Sequence, residues 1–168
     1  FNQMYFSNNL LDSQIILFGE IHGTKSIVDV KIELVESLLA KDKSVLIFLE
    51  RPFDEFNFYA TWQKELKIPE VFAKKFRNPS VSLYTIDELR FLDFLFDKII
   101  TGTQIYLLPI DISFDCNQES ELEKDSRRIR TIKDEDQFDL EREKFLIARV
   151  KDQQKLIEEF DTVVCFSG

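Results

Sequence analysis

Four short, continuous apolar runs, separated by segments of helical period, constrain this chain more than any other feature. They lie at residues 14–18 (QIILF), 44–49 (SVLIFL), 104–110 (QIYLLPI) and 162–166 (TVVCF). Runs of this length without polar alternation are what strands buried on both faces look like. Parallel neighbours in a sheet need a crossover of a dozen or more residues, usually a helix. The reading is therefore an α/β fold: a mainly parallel sheet of at least four strands with helices on both faces. Between the first two runs, Val28, Ile32, Val35 and Leu39 recur at helical spacing over 24–41, with Thr24 or Ser26 as N-cap. That makes a βαβ unit, for which a parallel pair with a right-handed crossover is expected.

Further along, helical stretches are expected near 54–66 and 69–76, with a break at Asn78-Pro79-Ser80. Residues 86–100 read as a very apolar helix closed by Thr101-Gly102. Pro109 donates no ladder hydrogen bond, so the third strand must end there or lie at a sheet edge. Residues 115–136 are charge-dense and read as loop plus an exposed helical piece. Helical spacing then returns over 138–160 through Leu146, Val150 and Ile157. Residues 1–168 form a single domain on this reading. A parallel strand normally feeds a loop and a helix, so a further strand–helix portion is expected beyond the fourth strand. The chain opens on Phe1 without an initiator Met, which leaves the compartment open.

Composition removes several classes of function. With 44% hydrophobic and 32% charged residues the chain is of globular type. A net charge of −9 leaves no basic stripe for a nucleic-acid backbone. No run approaches the length of a membrane span and no signal-peptide pattern is visible. Cys116 and Cys165 make neither a disulfide framework nor a metal-ligand spacing. Phe is overused, at 17 of 168 residues. Around Phe91, Leu92, Phe94, Leu95 and Phe96 the apolar positions exceed one helix face. They mark either a buried helix or a partner surface, for a second subunit in a homo-oligomer or for a further C-terminal part.

Parallel strands bring their C-terminal ends to one edge, where ligands bind. Here those ends deliver Glu20 and His22 from Gly19-Glu20-Ile21-His22-Gly23, Glu50 and Arg51 from Glu50-Arg51-Pro52, and Asp111. His22 is the single imidazole of the chain and is suited to accept a proton near neutral pH. A carboxylate from Glu20 or Glu50 would orient it, while Arg51 and Asp111 would bind substrate. There is no GxGxxG, Walker or GxSxG motif, which removes dinucleotide, P-loop and ordinary α/β-hydrolase readings. With one His and no paired Cys a structural zinc site is unsupported, although a carboxylate-rich site could hold a divalent metal such as Mn²⁺.

The stretch Phe18-Gly-Glu-Ile-His-Gly-Thr24, followed by an amphipathic helix and a strand ending in Glu50, resembles the superfamily of erythromycin esterases, ChaN-like haem-uptake proteins and Tiki/TraB proteins. The segment from Asp87 to Asp111 is similar to that family's helix followed by a strand ending in Asp. The helix starting near Arg142 resembles its Arg-containing helix before the last motif strand. The resemblance implies a parallel-sheet fold with Glu20 and His22 at the heart of the site and Glu50 beside them. It also implies a second motif with another His after the strand at 162–166, where this sequence stops. Family members include a lactone hydrolase, haem binders and proteins proposed to be metal-dependent peptidases. The expected function is hydrolysis of an ester, lactone or amide by water activated at the Glu/His site. The alternatives are binding of haem or another planar ligand, and a degenerate domain with a structural or interaction role.

Overall fold

Each of the four apolar runs forms a strand, and the four strands make one parallel sheet. A computed structural model describes residues 6–19, 25–53, 86–112 and 120–167. Its elements are α1 (Asn8–Leu11), β1 (Ile15–Gly19), α2 (Lys25–Leu39), β2 (Val45–Pro52) and α3 (Ile86–Ile100). They continue as β3 (Ile105–Asp111), α4 (Glu121–Arg130), α5 (Glu135–Asp152), α6 (Gln154–Ile157) and β4 (Thr162–Ser167). The strand order is β1-β4-β2-β3, with every neighbouring pair parallel. The α/β class with a mainly parallel sheet is thus as the sequence implied. The helices expected near 54–66 and 69–76 lie outside the described residues.

Strand residues alternate between two cores, as the period of two requires. Val45, Ile47 and Leu49 of β2, with Val164 and Phe166 of β4, pack under α2 and α3. Leu46 and Phe48 of β2, with Val163 of β4, face the other way, toward Leu146 and Val150 of α5 and Ile157 of α6. The helical residues read from spacing over 138–160 are therefore the ones that cover this second face. A smaller cluster of Ile112, Ile129 and Phe145, with Phe53 and Leu122 against it, ties α4 and α5 to the ends of β2 and β3. Each large side chain buried in this way contributes about 1.5–3 kcal/mol.

Some expectations are corrected. The first two strands are parallel but not paired, because β4 lies between them. Val163 and Val164 are 2% and 0% exposed on opposite faces, because β4 is packed between the two cores. β1 is an edge strand, and its outer face is open: Ile15 and Leu17 are 55% and 79% exposed. Ser26 is the second residue of α2 and so cannot be its N-cap, and Thr24 lies outside the described residues. β2 continues through Glu50-Arg51-Pro52, with an irregular register between Leu49 and Pro52. α4 is only partly exposed, since Glu123, Ser126 and Ile129 are buried.

Other local readings hold. Gly102, at φ 87, closes α3 in the left-handed region that glycine adopts without strain. Pro109 sits in β3, which is an edge strand. Phe91, Leu92, Leu95, Phe96 and Ile99 of α3 are all buried in the first core. The apolar surplus that suggested an oligomer surface on α3 is therefore largely spent on the fold of the chain itself.

At the opposite edge of the sheet, polar contacts lock the strand starts. Ser44 donates from its backbone N–H and its hydroxyl to Asp161 Oδ2, both at 2.8 Å. Lys43 Nζ donates to the Leu11 carbonyl at 2.6 Å and to Thr162 Oγ1 at 3.1 Å. These bonds hold α1, β2 and β4 in mutual register, so the opposite ends of the strands reach a common level.

Candidate functional site

At that common level, β2 delivers Glu50 and β3 delivers Asp111, and Pro52 is in register with Asp111. The side chains of Glu50 and Asp111 are only 4% and 8% exposed. Two carboxylates so deprived of water require a cation, and Arg142 of α5 provides it. Its Nε donates to Asp111 Oδ1 at 2.9 Å and its Nη2 to Asp111 Oδ2 at 2.6 Å, a two-pronged pairing. Nη2 also donates to Glu50 Oε1. Asp111 Oδ1 accepts a further bond, from the Ile112 N–H at 2.7 Å.

The hydrogen bonds to Asp111 push the Arg142 guanidinium further above its ordinary range, and the charges of Asp111 and Glu50 add to the effect. Arg142 is thus permanently charged. The Cys165 thiol of β4 is raised by burial first and by Glu50 second, which keeps it protonated. α5 is anchored for this task at its start, where the Asp134 side chain accepts from the Gln137 N–H at 2.9 Å. One turn below Arg142, Phe145 enters the core beside Phe53, which follows β2.

Of the residues proposed from sequence, Glu50 and Asp111 are brought together. Arg51 lies half-buried in β2. Glu20 and His22 lie outside the described residues; the strand that leads to them ends at Gly19. Arg142 was not among the proposed site residues. The family resemblance pointed to its helix, but an Arg in a charged helical segment reads as solvated surface until the packing of α5 is known. Among the described residues, no group of three or more His, Cys, Asp or Glu side chains could hold a metal ion. No described helix is long and apolar enough to cross a membrane.

Beside the cluster, on the α5 face of the sheet, is a cavity of about 420 Å³. Phe48, Ile110, Val163 and Cys165 line it from the sheet, and Leu146, Ile147 and Val150 from α5. It arises because α5 and α6 cover the inner strands but not β1, whose Ile15 and Leu17 form its outer side. Glu143 and Lys151 also line it and are exposed.

Fold and site together define an α/β protein with an all-parallel sheet, a buried Arg–carboxylate cluster at the strand C-terminal ends and an apolar cavity next to it. No protein-family model matches the sequence, and no curated protein matches it. Among solved structures the chain is similar to the type III effector HopBA1, at 13% identity and a TM-score of 0.48, covering 95% of this chain and 68% of that one. It is also similar to ChaN of Campylobacter jejuni, at 13% identity and a TM-score of 0.45, covering 95% of this chain and 71% of that one. The ChaN structure is described as showing cofacial haem binding.

Proposed function

We propose that this chain binds a largely apolar, planar small molecule, with haem the first candidate, in the cavity beside the Arg142 cluster. The observation that carries this reading is the cavity itself. Its 420 Å³ falls within the range of about 300–1,000 Å³ typical of small-molecule sites. Its walls are aliphatic and aromatic, which favours an apolar body. The Lys151 ammonium suits an acidic edge such as a propionate. Cys165 is a poor thiolate ligand for iron because burial and Glu50 keep its thiol protonated. His22 remains the residue for axial ligation, as the sequence reading proposed.

Haem titration followed at the Soret band tests the proposal. The expected result is a shifted, saturating band for the wild type, with loss of binding in Ile147→Trp. Ile147 is 54% exposed, so the indole fills the cavity without disturbing the core. A spectrum equal to that of free haem, or undiminished binding by Ile147→Trp, refutes it. A spectrum identical in wild type and His22→Ala excludes His22 as axial ligand.

A second reading, hydrolysis of an ester, lactone or amide, is favoured by the way Glu50 and Asp111 are held. Arg142 fixes both at the C-terminal ends of β2 and β3. His22, oriented by Glu20 or Glu50, would activate water. Unchanged ester turnover in a folded His22→Ala variant would sink that mechanism.

A further inference from the structure

α5 carries two arginines two turns apart, and the structure treats them in opposite ways. Arg142 meets two carboxylates. Arg149 meets none: its Nε is buried without a hydrogen-bond partner, and no ion pair closes on it among the described residues. Its guanidinium carbon lies 5.8 Å from the centroid of the Phe53 ring, which in turn lies 6.0 Å from that of Phe145. Loss of water is the main influence on this guanidinium and lowers its pKa, with only Asp152 acting the other way. Arg149 is half-buried, and a buried N–H donor left without a partner on such a side chain calls for an explanation, a bound ion among them.

We propose that Arg149 is an anion-binding residue, taking a phosphate or carboxylate group on a guanidinium held against Phe53. The planar fork of Arg matches either oxyanion with two parallel N–H bonds. The aromatic ring limits the orientations of the fork and lowers the entropy lost on binding. The position lies across α5 from the apolar cavity, which Leu146, Ile147 and Val150 line. This site is therefore independent of the proposed haem site and stands or falls separately.

The test is thermal melting of the full chain in inorganic phosphate, in citrate and in sodium chloride, all at equal ionic strength. Phosphate stabilises most proteins by exclusion from their surface, so the comparison between variants decides. In chloride, Arg149→Met is expected to melt no lower than wild type, because it removes an unpaired charge. The wild type should then show a saturable rise in melting temperature that Arg149→Met lacks. A rise in phosphate alone identifies a phosphoryl group, and one in citrate alone a carboxylate. Arg149→Lys, which keeps the charge and loses the fork, should need a several-fold higher anion concentration for half of the rise. Parallel curves for wild type and Arg149→Met in both anions, or an unchanged midpoint in Arg149→Lys, overturn the proposal and leave a guanidinium that is merely hydrated.

Discussion

Replacing Arg142 by Met removes the cation from Glu50 and Asp111 while keeping most of the side-chain volume. Glu50 and Asp111, at 4% and 8% exposure, then lose the guanidinium that donates one hydrogen bond to Glu50 and two to Asp111. Breaking a buried ion pair from one side costs about 3–5 kcal/mol. The Arg142 side chain is itself 26% exposed, so water can reach part of the vacated position and the lower end applies, about 3 kcal/mol. For a chain of this size each kcal/mol lowers the melting temperature by about 2–4 °C, which gives a fall of about 6–12 °C. Guanidinium unfolding followed by circular dichroism supplies the free energy, and calorimetry the temperature. The double variant Arg142→Met/Asp111→Asn removes one of the opposed charges, so it should recover at least about 1 kcal/mol of the loss. A single-variant loss below about 1 kcal/mol, the value of a surface pair, would refute the buried-cluster argument. So would a double variant less stable than the single one.

Two further predictions concern titration. Asp161, whose pKa is lowered first by the Ser44 backbone N–H and then by the Ser44 hydroxyl, contributes stability that is present above the ordinary Asp value of 3.8 and is lost as pH falls through its lower folded value. The melting temperature of Asp161→Asn should therefore lie below that of wild type near neutrality and converge with it in acid; a gap that widens in acid contradicts this sign. In a Cys116→Ser background, the rate of Cys165 alkylation should inflect at a higher pH than that of an unperturbed thiol, and an inflection at or below the ordinary value would show that neither burial nor Glu50 acts on it.

Periodicity in the chain was enough to determine the α/β class, the four strands and most core-facing residues of α2, while in α5 it gave the half-buried Leu146 and Val150 and missed the buried Phe145. These depend on local spacing: apolar residues must recur at the period of the element that buries them, whatever it packs against. Glu50 and Asp111 were legible as site candidates for a related reason, since parallel strands send their C-terminal ends to one edge. Strand order was not legible. β1 and β4 are both short and apolar, and nothing within either run says that β4 takes the centre while Leu17 of β1 is left 79% exposed. That choice depends on how many faces the helices cover, which is a property of the assembled layers. The roles of Arg142 and Arg149 were equally hidden. Both stand in one charged helix, and only the docking of α5 decides that one guanidinium is neutralised by carboxylates 92 and 31 residues away while the other rests on a Phe ring. Charge pairing across such distances is set by tertiary packing, because no short-range pattern links residues that meet only when separate elements are pressed together.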